Sequence, residues 1–173
     1  MRGSSAARDP VAAPWRALAK RVVGEYATAL GDDLLAVALF GSVARGEAGP
    51  ASDLDLYVVT RHRLSLLGDR RLDGARARVR ESAEYEALVA QGCRPHPAPI
   101  FHSAEELAGH PWILLDITHH GIILYDRDGR LTRELDAVRR RLDELGARRI
   151  ERADGSWYWD LKPDWRPGDV VTL

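Results

Sequence analysis

Apolar residues recur at two different spacings along this chain, and the switches between them mark its elements. From Val11 to Leu30 they fall at Trp15, Leu18, Ala19, Val22, Val23, Tyr26 and Leu30, three or four apart, which predicts an amphipathic helix stopped at Gly31-Asp32. Two apolar runs follow, Leu34 to Phe40 and Leu54 to Val59, the second carrying Asp55, and the loop Val43 to Ser52 between them reads as a turn joining two strands. Leu66 to Gln91 is rich in Arg, Glu and Ala, with apolar positions at Leu72, Val79, Tyr85, Leu88 and Val89, and predicts one long surface helix. After a break beginning at Gly92, the pattern predicts a strand at Pro97 to Ser103. Helix over Glu105 to His120 follows, with Pro111 near the start of a second piece, then a strand at Ile122 to Tyr125. Asp126 to Gly129 makes a turn, and Leu131, Leu135, Val138, Leu142 and Leu145 form a helical stripe that ends at Gly146.

The chemistry concentrates where the two apolar runs meet. Gly41-Ser42 ends the first, and after ten residues Asp53-Leu54-Asp55 opens the second. On a strand, residues two apart face the same side, so Asp53 and Asp55 bring two carboxylates close enough to share a divalent cation. Ser42, Val43, Ala44 and Arg45 suit a short helical turn whose first N–H groups point outward, a seat for phosphate. Arg45 adds positive charge for a polyphosphate, and Gly46 and Gly49-Pro50 turn the chain back. The spaced pattern should arise by chance in roughly a few per thousand chains of this length. The same residue types also make an ordinary hairpin, which needs no metal.

The segment GSVARGEAGPASDLDLYVV resembles the signature of the DNA polymerase β-like nucleotidyltransferase superfamily, and most of all its small stand-alone members, the minimal nucleotidyltransferases. The resemblance implies an α/β (α+β) fold, a small mixed sheet flanked by helices. It implies a triphosphate held at Gly41 and Ser42, beside which the charge of Arg45 adds a further expected nucleotide contact, and magnesium or manganese held by Asp53 and Asp55, which are also the expected catalytic residues. It also implies that a nucleoside monophosphate, AMP from ATP being favoured, moves to a hydroxyl acceptor. Minimal nucleotidyltransferases are often antitoxins that adenylylate a tyrosine of a partner HEPN ribonuclease, so a HEPN-type protein is the expected partner. Transfer to a small hydroxyl compound or an RNA end, or a module that only binds its partner, are the alternatives.

Family members usually supply a third carboxylate from a later strand, and here that ligand is unknown from sequence. The strand PAPIFHS carries no acid; Glu105 and Glu106 read as the start of a helix capped by Ser103; Asp116 sits in an apolar segment; and His102 is an alternative base. Zinc is not expected at His96, His102, His110, His119 and His120, since no spacing matches a ligand set, and the adjacent His119 and His120 should point to different sides of a helix.

Composition narrows the rest. With 173 residues, 45% of them apolar, one substantial core is expected. Acids and bases nearly cancel, 26 against 25, so no global field favours nucleic acid or an anionic membrane. The arginines Arg70, Arg71, Arg76, Arg78 and Arg80 are read as a solvated helix face balanced by Glu81, Glu84 and Glu86. The single Cys93 and the lack of a long apolar stretch lead to a cytoplasmic expectation. The organisation expected is a flexible leader over residues 1–10, a nucleotidyltransferase core over 11–126, and a C-terminal helix with an aromatic tail over 127–173, packed on the core. That tail places Trp157, Tyr158, Trp159 and Trp165 in a short polar segment, suited to packing or docking, with Lys162 within possible reach of the cleft.

Overall fold

The computed structural model describes residues 11–64 and 69–173. Its organising element is a four-stranded sheet in the order β3-β2-β1-β4, built from β1 (Leu34–Leu39), β2 (Leu54–Thr60), β3 (Pro97–Ser103) and β4 (Ile122–Asp126). β1 runs antiparallel to both β2 and β4, and β2 runs parallel to β3, so the sheet is mixed. All six residues of β1 are buried, as a central strand covered on both faces requires.

Alternation along β2 sorts its side chains to opposite faces. Leu54, Leu56 and Val58 enter one core with α1 (Ala13–Leu30), α3 (Arg70–Arg80) and α4 (Ala83–Ala90). Tyr57 and Val59 enter the other, with α5 (Ala104–Ala108), α6 (Ile113–His120) and α7 (Arg130–Leu145). Asp55, by the same alternation, belongs to the second face, at the end of the strand where that core stops. Pro14 opens α1 and Gly31, at φ 55, closes it. The buried Glu25 ties α1 to α3 through Arg78 at 2.5 Å, while Arg21 pairs with it along α1 at 3.0 Å. No helix among the described residues is long and apolar enough to cross a membrane.

The single helix expected over Leu66 to Gln91 is two. Its first residues lie outside the described residues; Asp69 caps α3, and the break falls at Glu81-Ser82. Ser82 Oγ donates to the Val79 carbonyl at 2.7 Å and accepts the Tyr85 N–H at 3.3 Å, finishing one helix and starting the next. That local option outcompetes continued helix because Ser side chains satisfy the orphan groups of a helix end. Ser82→Ala is therefore expected to lower unfolding free energy by about 1 kcal/mol, seen as a lower urea midpoint with an unchanged slope. Val89, one of the apolar positions of that segment, is exposed.

The span Glu105 to His120 likewise divides, into α5 and α6, across Gly109, His110 at φ 45 and Pro111. Ser103 and Glu106 form the capping box of α5: Ser103 N–H donates to Glu106 Oε2 at 2.8 Å and Glu106 N–H to Ser103 Oγ at 3.1 Å. α7 buries Leu131, Leu135, Val138 and Leu142 and ends at Gly146, φ 65. Beyond it the aromatic tail contains a two-stranded hairpin, β5 (Arg148–Glu151) and β6 (Trp157–Asp160), in which Arg149 pairs with Trp159. Trp159, Leu161 and Leu173 pack against the second core.

Candidate active site

Gly41 stands at φ 70 at the start of a four-residue helix, α2 (Gly41–Ala44), directly after β1. The Phe40 N–H donates to the Asp55 carbonyl at 3.1 Å, which pins the end of β1 to the start of β2. Gly41 therefore meets the Asp55 side chain: a Cβ at Gly41 would overlap Asp55 Oδ2 outright and lie 2.9 Å from its Cγ. Only glycine accepts both the left-handed backbone and that approach. Asp55 is pressed against the turn that carries Ser42.

That turn is held from the far side. Arg45 N–H closes the helix on the Gly41 carbonyl at 3.2 Å, so the N–H groups of residues 42–44 precede the first intrahelical bond. Ser42 Oγ donates to Ser52 Oγ at 3.1 Å, and Ser52 Oγ accepts the Gly49 N–H at 2.9 Å. Ser52 was not among the residues expected at the site. Its cue in the sequence is its place immediately before Asp53, where a hydroxyl can tie the returning loop to the serine that begins it.

Electrostatics mark Asp55 as the strained member of the acidic pair. Burial, then the neighbouring Asp53 carboxylate, push its pKa above the ordinary aspartate value, and Arg45 offsets them in part. Two neighbouring carboxylates, Asp53 just before β2 and Asp55 within it, with a single compensating guanidinium suit a hard dication, since magnesium is commonly held by one or two carboxylates with substrate phosphates completing its shell. Arg45 divides its charge between Asp55 and Glu47, with which it pairs at 2.7 Å and which is 62% exposed.

The third carboxylate does not appear among the expected positions. Parallel register sets Ala98 of β3 opposite Asp55. Ser103, and with it the Glu106 cap, lies five residues farther along, about 16 Å at strand rise, and His102 is opposite Val59. Glu106 is occupied by the capping box and by Arg63 at 3.3 Å. Asp116 lies on α6, which packs on α2; burial raises its pKa while Arg45, Arg149 and His119 lower it. No group of three His, Cys, Asp or Glu side chains among the described residues forms a metal site.

Other expectations are corrected by geometry. The His119 and His120 rings do not diverge; they meet edge-on with centroids 4.2 Å apart. Lys162 does not turn to the cleft but pairs with Asp169 at 2.7 Å inside the tail. The arginines of α3 are balanced from other places than Glu81, Glu84 and Glu86: Arg78 by Glu25, Arg71 by Asp69 and Asp33, Arg76 by Asp73.

The outer edge of β3 borders a cavity of ≈ 700 Å³ that begins at His96 and Ala98, beside the Asp53-Asp55 end of β2, and extends toward Tyr26, Arg76 and Arg80. The bond from the Leu54 N–H to the His96 carbonyl, 2.8 Å, sets residues 96, 98, 100 and 102 to bond inward, so Pro97 and Pro99 occupy the outward-bonding positions. Proline has no N–H to offer there, which blocks another strand from extending the sheet.

The nucleotidyltransferase domain family model matches residues 23–125, more than half of the chain. A putative protein adenylyltransferase of Methanocaldococcus jannaschii is 31% identical over 109 residues, 63% of this chain and 70% of that protein. Among solved structures, a toxin-antitoxin complex with AMP-PNP aligns at a TM-score of 0.41 and 13% identity, over 73% of this chain and 92% of that one. A tri-AMPylated HEPN toxin of Shewanella oneidensis with MNT antitoxin aligns at 0.39 and 12%, over 76% and 92%. The match spans β1, the Gly41 turn, β2, β3 and β4, the elements that bring Asp55 onto Gly41, and the chain belongs to the nucleotidyltransferase domain family.

Proposed function

We propose that the chain transfers AMP from ATP to a hydroxyl of a protein, with Asp53 and Asp55 holding magnesium and Gly41, Ser42 and Arg45 holding the triphosphate. The observation that carries this reading is the seating of the Asp55 carboxylate on Gly41, which puts the acidic pair and the helical turn within one ligand's length. The protein acceptor is supported by the name of the Methanocaldococcus relative, a putative protein adenylyltransferase. The resemblance to minimal nucleotidyltransferases makes the tyrosine of a HEPN-type toxin the acceptor to test first, with this chain as antitoxin.

Magnesium, when bound, neutralises charge on the phosphates and orients them for in-line displacement. Asp53, just before β2, and Asp55, within it, are the residues that would hold it. Ser42 and the N–H groups after it orient phosphate oxygens, and Arg45 draws off charge that builds toward the leaving pyrophosphate. The acceptor oxygen bonds to the α-phosphorus, the α–β bridge breaks, and the acceptor proton passes to solvent or a base.

Incubation of the full chain with labelled ATP, magnesium and its HEPN-type partner should label the partner on tyrosine, and Asp53→Ala should remove the label. Stable complex formation with no label would leave a binding module instead. A second reading is transfer to a small hydroxyl compound, for which the cavity along β3 has the volume although none of Gly41, Ser42, Arg45, Asp53 and Asp55 lines it. Consumption of ATP with such a compound and no protein partner would favour it.

A further inference from the structure

The C-terminal hairpin brings an arginine to the helix that packs on the Gly41 turn. Arg149 of β5 stacks its guanidinium over Trp157 at 4.6 Å and donates through Nη1 to His119 Nε2 at 3.2 Å. Accepting that bond requires His119 Nε2 to be unprotonated, in keeping with burial and Arg149 both lowering the His119 pKa. The side chain of Arg149 is 16% exposed, and its carboxylate partner, Glu151 at 2.7 Å, is 70% exposed. A pair with one end in water satisfies little of a half-enclosed cation.

Two donors remain unmet. Arg149 Nε and Trp159 Nε1 are buried and donate to no acceptor among the described residues. The two residues are cross-strand partners, so their side chains share one face of the hairpin, and His119 lies beside both, its ring 6.1 Å from that of Trp159. Buried N–H groups without acceptors are rare and costly. The same neighbourhood holds Arg45: Arg45 and Arg149 both act on Asp116 and on His120, and α6, which carries those two, packs on α2. Two guanidiniums, one of them carrying the unmet Nε–H, and the unmet indole N–H call for a ligand rich in acceptor oxygens and in negative charge.

We propose that Arg149 and Trp159 form the far wall of the nucleotide site and bind its outer phosphates, and therefore the pyrophosphate released by transfer. The inference rests on the reading of Gly41 to Arg45 as the phosphate seat, and it gives residues outside the family match at 23–125 a direct part in substrate binding. Calorimetric titration of the full chain in magnesium with ATP, AMP and inorganic pyrophosphate tests it. Arg149→Ala should weaken ATP and pyrophosphate about tenfold or more and leave AMP within about twofold, and Arg149→Lys should recover part of the loss. Trp159→Phe, which keeps a six-membered aromatic ring against the second core and deletes the pyrrole ring with its N–H, should weaken pyrophosphate about threefold. Unchanged ATP and pyrophosphate affinities in both Arg149→Ala and Trp159→Phe would overturn the inference, as would an equal loss on AMP. A wild-type chain that binds no ATP would overturn the phosphate seat beneath it, a separate result.

Discussion

Asp55→Asn is expected to reduce nucleotidyl transfer by about a thousandfold and, at the same time, to raise the melting temperature of the metal-free chain by about a degree or two. The two effects have one origin. Burial and the Asp53 carboxylate both lift the Asp55 pKa, so the folded chain holds that proton more tightly than the unfolded chain does. A carboxyl with a raised folded pKa makes unfolding free energy fall as pH rises through the interval between its unfolded and folded values. Above that interval, at neutral pH, ionised Asp55 lowers stability. Asparagine keeps the shape and removes the charge. Magnesium with ATP should reverse the order, stabilising wild type and leaving the variant unmoved, because binding to the native state adds stability only where a site exists. The acid limb of wild-type activity should also lie at higher pH than an ordinary aspartate would give, since the metal must displace a more tightly held proton. Thermal melts in chelator and in magnesium with ATP decide the matter: a variant less stable than wild type in chelator would mean that the acidic pair carries no electrostatic strain.

The part of the site that was legible in sequence is the part made by neighbours in the chain. β1, the turn at Gly41-Ser42 and β2 form one antiparallel unit, so periodicity located the strands and residue spacing located the acids. Gly41 was legible as a turn residue; its second burden, the approach of Asp55, comes from the Phe40 to Asp55 backbone bond and cannot be read from spacing. Helix ends were less legible. A helical pattern with good propensity ran through Glu81-Ser82, yet a serine that can bond both backwards and forwards divided it.

What sequence could not supply was proximity between distant segments. Ala98 faces Asp55 because β3 pairs in parallel with β2, a register that no local pattern announces, and the acids that follow β3, Glu105 and Glu106, consequently start beyond Ser103, too far along to join the pair. The aromatic tail was recognisable as unusual, but four-residue strands are too short for alternation to stand out. The pairing of Arg149 with Trp159 emerged only with the hairpin.

Gly41→Ala should damage the fold and the chemistry together, with about 1–2 kcal/mol of stability lost to the left-handed backbone and about a hundredfold or more of transfer lost to displacement of Asp55. At φ 70 any L side chain is strained, and the added methyl occupies the place of the Asp55 carboxylate. Relief by backbone movement is restricted, since Phe40 N–H holds the Asp55 carbonyl and Arg45 N–H holds the Gly41 carbonyl. The Asp55 side chain must rotate away instead, which separates it from Asp53 and from the turn. Gly49→Ala provides the contrast within the same loop: a Cβ there meets nothing within 4 Å, and no positive φ is needed. Its N–H can still donate to Ser52 Oγ, so transfer and melting temperature should stay close to wild type. Paired chemical denaturation and single-turnover transfer assays on the two variants separate a loop that merely dislikes alanine from a glycine required by its acidic neighbour. Near-wild-type transfer by Gly41→Ala would show that Asp55 need not sit on the turn for the site to work.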